Sequence, residues 1–109
     1  MRKIIEIFIK EAEKTGFVND STEANGEFYL RLTKGELFLF EDTRFKDEKK
    51  VNNSSAVIGM GREASKFMGQ HILPGAFVLN DSNILEYLST VEESFKEKAT
   101  AEDEYLKTS

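Results

Sequence analysis

Glu27-Phe28-Tyr29-Leu30-Arg31-Leu32, then Thr33-Lys34-Gly35, then Leu37-Phe38-Leu39-Phe40 is the stretch that decides the fold class. The first run alternates. Phe28, Leu30 and Leu32 fall on one face, Glu27, Tyr29 and Arg31 on the other, as in a strand with one wet side. Thr33-Lys34-Gly35 reads as a short turn carrying its glycine late. So short a connection can join only antiparallel neighbours, so the two runs predict a β-hairpin. The second run is apolar on both faces, which predicts a central strand covered on both sides, one of them by the first helix. The core is expected to take Phe28 and at least one of Phe38 and Phe40.

Working outward toward the N-terminus, residues 18 to 26 hold Asn19, Asp20, Ser21, Asn25 and Gly26, which is loop chemistry. Before them, Ile5, Phe8, Ile9 and Ala12 recur at helical spacing, with Glu6, Lys10, Glu13 and Lys14 on the other side. The spacing predicts an amphipathic helix over 3–15, with Gly16 as its left-handed cap. The Ile-rich start would also suit a strand, but Glu11-Ala12-Glu13-Lys14 favours helix.

Toward the C-terminus, residues 41 to 53 carry mixed charges and read as a solvated connection. Ser55-Ala56-Val57-Ile58 predicts a short strand, broken by Gly59-Met60-Gly61. Arg62 to Met68 could form two helical turns, ended by Gly69. Pro74-Gly75 marks a bend, and Ala76-Phe77-Val78-Leu79 a fourth strand. Ile84, Leu85, Leu88, Val91 and Phe95 then recur at helical spacing through about Lys98, with Asp81 or Ser82 as N-cap.

The expectation is therefore an α+β domain: a mainly antiparallel sheet of about four strands, with N-terminal and C-terminal helices packed on one face. Residues 1–99 form the domain, and 100–109 an acidic C-terminal tail or frayed helix end.

A chain of 109 residues is about one domain and buries roughly 65% of its unfolded surface. It has no Cys, which excludes disulfides, thiolate metal sites and a cysteine nucleophile. It has 1 His, which excludes a multi-histidine metal site. No apolar run approaches the roughly 18 residues of a membrane span. Met1-Arg2-Lys3-Ile4-Ile5-Glu6 does not read as a secretion signal, because Glu6 interrupts the apolar stretch. A cytoplasmic protein without a cofactor is expected.

The net charge of −5 is unevenly placed. Residues 1 to 80 hold 12 acids and 12 bases, and residues 81 to 109 hold 8 acids and 3 bases. A neutral body with an acidic C-terminal segment argues against nucleic acid, which needs a basic footprint. It suits a basic protein partner, or simple solubility.

Gly59-Met60-Gly61-Arg62-Glu63-Ala64, after a short apolar strand, fits the glycine fingerprint of dinucleotide-binding units, and Asp81 lies about 20 residues beyond. The helix has room for only two turns before Gly69, too short for a normal crossover. The competing reading is a glycine-rich strand exit. A reduced version keeps Gly59, Gly61, Arg62 and His71 as an anion-binding group. His71 reads first as a turn histidine, since no nucleophile and orienting carboxylate are visibly paired with it. Adjacent acids such as Glu92-Glu93 point in different directions and build no acid/base site by spacing. No stretch alternates acids around a central glycine as a calcium loop does. Without a basic groove the aromatics do not read as base-stacking platforms.

In general character (small, proline-poor, richer in Lys than Arg, acidic in its C-terminal helix) the chain resembles small phage or mobile-element proteins and immunity proteins that mask a toxin. The likeness is carried by no motif, so it implies no residue roles. The function expected first is non-enzymatic: occlusion of a basic protein partner by the acidic face of the C-terminal helix (Glu86, Glu92, Glu93, Glu97), with Tyr29 as an anchor. The alternatives are a small-molecule or anion-binding module, or marginal enzyme, at Gly59–Arg62 and His71, and a homo-oligomeric structural component.

Overall fold

Leu30 divides the deciding stretch into two strands that belong to different sheets. A computed structural model describes residues 2–42, 54–63 and 77–108. The elements are α1 (Lys3–Lys14), β1 (Val18–Asn19), β2 (Thr22–Ala24), β3 (Glu27–Tyr29), β4 (Arg31–Lys34), β5 (Leu37–Glu41), β6 (Ser55–Arg62), β7 (Phe77–Asn80) and α2 (Ile84–Thr108). The main sheet is antiparallel in the order β1-β4-β5-β6-β7, and β2 and β3 form a separate two-stranded sheet. The α+β class and the two flanking helices match expectation. The sheet has five strands rather than about four, plus the small hairpin.

Local chemistry explains the differences. Residues 18 to 26 are not wholly loop, because Asn25 and Gly26 both take positive φ, 55° and 77°, which closes the β2–β3 hairpin. The second hairpin turns at Gly35-Glu36, with Gly35 at φ 60°. Thr33 and Lys34, expected in that turn, instead extend β4.

β5 is central, between β4 and β6, as its two apolar faces require. β6 does not stop at Ile58. It runs through both glycines to Arg62, in register with β5 (Phe40↔Gly59, Phe38↔Gly61). Glycine normally weakens a strand interior. Here the phenyl rings of Phe40 and Phe38 occupy the space where Cβ atoms on Gly59 and Gly61 would stand. The expected strand break is thus a cross-strand packing device. The helix expected from Arg62 to Met68 begins at a residue that is in β6 instead; the rest of that helix with Gly69, the bend at Pro74-Gly75 and the start of the fourth strand (64–76), and the charged connection over 43–53, lie outside the described residues.

Register separates the two faces of the sheet. Leu32, Leu39 and Met60 lie opposite one another, as do Ala56 and Leu79. This face packs against Ile4, Ile5, Phe8, Ile9 and Ala12 of α1 and Ile84, Tyr87, Leu88 and Val91 of α2. Phe8 and Tyr87 meet at the centre, ring centroids 6.0 Å apart. Thr33, Phe38 and Gly61 form the opposite face with Arg31, Phe40 and Gly59. Phe38 and Phe40 therefore stay outside the main core, contrary to expectation, because Leu37 and Leu39 hold the inward register. Phe28 packs against that core, partly buried.

Both helices are fixed at the ends that meet the sheet. The Phe17 amide donates to the Ala12 carbonyl and the Gly16 amide to that of Glu13, each at 3.1 Å, with Gly16 at φ 100°. This is the glycine C-cap the sequence predicts, with buried Phe17 following it. At the start of α1, Arg2 donates to Glu41 and to the Ser55 carbonyl, tying the helix to β5 and β6. α2 starts one or two residues later than expected. Asn83, not Asp81 or Ser82, immediately precedes it and its carbonyl accepts from Tyr87 N at 3.0 Å. The Asn83 side chain reaches back to β7, donating to the Val78 carbonyl (2.9 Å) and accepting from Asn80 N (2.8 Å).

Candidate functional site

α2 carries most of the charge asymmetry and supplies the most distinctive surface. Its 25 residues span about 37 Å at helical rise. Ile84, Tyr87, Leu88 and Val91 are buried, and Phe95 is partly so. Spacings of seven and four residues then put Glu86, Glu93 and Glu97 in one row on the far side of the helix, where all three are exposed. Glu92 sits about a third of a turn from that row and has an internal role: its carboxylate meets Lys34 Nζ at 2.7 Å. Lys34 Nζ also donates to the Thr15 carbonyl at 2.7 Å, so the pair links α2 to the end of α1. The four glutamates singled out in the sequence therefore divide, one bound inward and three without an ion pair among the described residues.

Tyr29 is 46% exposed. It stands on β3 of the small hairpin, not on α2, and its hydroxyl donates to Glu27 Oε2 at 3.1 Å. That hydrogen bond, reinforced by the glutamate's charge, raises the phenol above its ordinary range.

Gly59, Gly61 and Arg62 are brought together, but with partners of their own. The Arg62 guanidinium meets Glu36 at 3.2 Å, Glu102 at 3.1 Å and Asp103 at 2.9 Å, and also reaches the Ala99 carbonyl at 3.5 Å. The hydrogen bond to Asp103, with its charge and that of Glu36, holds Arg62 more firmly protonated than usual against the opposing effect of desolvation. An anion approaching this guanidinium would compete with three carboxylates. Each glycine's Cβ side is filled by a phenyl ring. His71 lies outside the described residues. Glu63 pairs with Arg31, whose guanidinium stacks 4.2 Å from the Phe38 ring centre.

Among the described residues no cluster of His, Cys, Asp or Glu could hold a metal ion, and no helix is long and apolar enough to cross a membrane. A small cleft of about 140 Å³ opens between Lys3, Ile4, Ile7, Ser54 and Asp81, below the few hundred Å³ of an ordinary ligand pocket.

The Arg62 cluster and the Lys34–Glu92 pair are invisible to local sequence reading. Both join residues at least 26 positions apart, and only the strand register and the helix docking bring them together. No protein-family model, curated protein or solved structure matches the chain.

Proposed function

We propose that this chain is a non-enzymatic binding protein that covers a basic surface of another protein with the outer face of α2. The observation that carries the reading is the division of charges on the helix. Lys34 and Arg62 are engaged by the chain's own Glu92, Glu36, Glu102 and Asp103, whereas the exposed row Glu86, Glu93 and Glu97 has no cation partner among the described residues. A row of like charges on a docked helix is a rigid electrostatic template. Complementary charge accelerates encounter and rejects wrong partners. Tyr29, half-exposed on the small hairpin, is the aromatic anchor of the same reading. The reading suits an inhibitor of phage type or an immunity protein acting by steric occlusion. A reducing, cytoplasmic setting fits a chain without Cys.

The test is affinity capture from host lysate with two baits, the native chain and Glu86→Lys/Glu93→Lys/Glu97→Lys. Support is a basic protein, identified by mass spectrometry, that the native bait holds and the reversed bait loses. Equal capture by both baits removes the role of α2. Stabilisation of the native chain by nucleotides or phosphorylated metabolites would instead favour the anion-binding alternative at Gly59, Gly61, Arg62 and His71.

A further inference from the structure

Asn25-Gly26 is the chain's single Asn-Gly step, and the fold sets it at the tip of the small hairpin. Ala24 pairs with Glu27, so the loop is these two residues alone, at φ 55° and 77°. Both are exposed, and a Cβ on Gly26 would meet nothing within 4 Å. The ladder bonds that close such a loop join Ala24 and Glu27, which leaves the Gly26 N–H outside them. A side-chain amide therefore stands next to an unshielded backbone nitrogen, with no following side chain to crowd it.

The other asparagines among the described residues are held or crowded. Asn19 Oδ1 accepts from the Ser21 amide at 3.1 Å and Asn80 Oδ1 from the Ser82 amide at 3.0 Å, and each is followed by an aspartate. Asn83 is fixed to β7 through both ends of its side-chain amide and precedes the branched Ile84. The hairpin that carries Asn25 is weak. Its strands have 3 residues each, and of residues 22–29 Phe28 alone is not exposed. A two-stranded hairpin of this size is marginal by itself and opens locally. Its base is firmer: Leu30 is buried, and Ser21 Oγ accepts from the Arg31 amide at 3.0 Å and donates to the Arg31 carbonyl at 3.4 Å. Opening is thereby confined to residues 22–29, where it gives Asn25 the rotational freedom of an unfolded chain.

We infer that Asn25 is a self-modification site, at which the Gly26 nitrogen displaces the asparagine's own side-chain amide. The Gly26 N–H gives its proton to solvent hydroxide, and the nitrogen forms a bond to Asn25 Cγ. The Cγ–Nδ2 bond breaks, and that nitrogen takes a proton from water and leaves as ammonia. The product is a five-membered succinimide. Water then adds to one of its two carbonyls and opens the ring. Breaking the bond from Cγ to the Gly26 nitrogen gives aspartate. Breaking the bond from the Asn25 main-chain carbonyl carbon to that nitrogen gives isoaspartate. The net change is one water consumed and one ammonia released, with nothing oxidised or reduced. Either product adds a negative charge to the turn. Isoaspartate also lengthens the loop by one backbone carbon. The register of so short a hairpin depends on loop length, so the isomer loses the pairing of β2 with β3 and frees the strand that carries Tyr29. The inference does not depend on whether Tyr29 meets a partner.

The test is to hold the full native chain for several weeks in mildly alkaline buffer at about 37 °C, then map it by digestion and fragmentation mass spectrometry. Residue 25 should gain about 1 Da, and an isoaspartyl-specific methyltransferase should label part of the product. Conversion at Asn25 should be at least about tenfold faster than at Asn19 or Asn80, whose next residues carry side chains. The same chain in urea gives the rate without a fold, and the folded chain should react within about a hundredfold of it, because the hairpin opens at little cost. Conversion no faster at Asn25 than at Asn19 and Asn80, or a folded rate below that bound, would overturn the site. Aspartate without any isoaspartate would mean direct hydrolysis and would overturn ring closure. In the isolated isoaspartyl form, amide exchange read by NMR should show protection lost at residues 22–29, with β4, β5 and both helices within about twofold of native. A hairpin still protected in that form would overturn the loss of pairing.

Discussion

The Phe38 phenyl ring on β5 fills the space beside Gly61 on β6 where any other residue would carry its Cβ. The pair one step along, Phe40 and Gly59, repeats the arrangement, and the two rings lie 5.9 Å apart. The glycine pair thereby serves the sheet, and the ring positions require it.

Gly61→Ala should destabilise the fold by about 1–3 kcal/mol, the usual cost of overpacking. Phe38→Leu in the same chain should recover part of that loss, since the new methyl group then has room. Denaturant unfolding of both single variants and the double variant gives the coupling energy. Additive losses would mean that ring and glycine do not compete for one space.

Asn83→Ala should cost about 1–2 kcal/mol, because it removes a donor to the Val78 carbonyl and an acceptor for Asn80 N. Ser82→Ala should cost less, since the Ser82 hydroxyl makes a solvent-exposed hydrogen bond to the Asn80 side chain. Thermal melts of the two variants rank them. The reverse order would place the helix start where the sequence first suggested it.

Much of the framework was legible for local reasons. The period of 3.6 in Ile5, Phe8, Ile9 and Ala12, and the glycine at 16, specify α1 and its end without reference to anything distant. The doubly apolar run Leu37–Phe40 identifies a central strand for the same reason. The rest depended on partners. Leu30 reads as the middle of one alternating strand, and the sequence does not say that β3 pairs with β2 while β4 pairs with β5. Asn25-Gly26 did carry a hairpin signal, but the strands it joins are too short and polar to announce themselves. The glycines read as a break because the rings that cover them lie on the neighbouring strand, 19 and 23 positions earlier by the register Phe40↔Gly59 and Phe38↔Gly61. At the candidate site, exposure of Glu86, Glu93 and Glu97 followed from helical spacing. The inward engagement of Glu92 and Arg62 did not, because it needs the tertiary packing.

Burial pushes the Tyr87 phenol well above its ordinary range. The unfolded chain ionises this group above about pH 10, while the folded chain keeps it neutral. Its contribution is therefore intact below about pH 10 and is lost as pH rises further, by up to about 1.4 kcal/mol per pH unit. Melting temperatures of native and Tyr87→Phe protein between pH 8 and about 11.5 test this. The native curve should fall more steeply above pH 10, and parallel curves would contradict it. Absorbance of tyrosinate supplies a second reading: of the 3 Tyr, one should ionise only as the protein unfolds.

The measurement closest to the central claim is the association rate with the captured partner, by stopped flow, from about 50 to about 300 mM salt. Three chains are compared: native, Glu86→Lys/Glu93→Lys/Glu97→Lys, and a control reversing the equally exposed Glu6, Glu13 and Glu23, which changes net charge by the same amount. Docking through α2 predicts an on-rate at least about tenfold lower for the α2 variant, with a flattened salt dependence, and a much smaller change for the control. Equal on-rates for the native and α2-reversed chains, or equal losses in both variants, would contradict it.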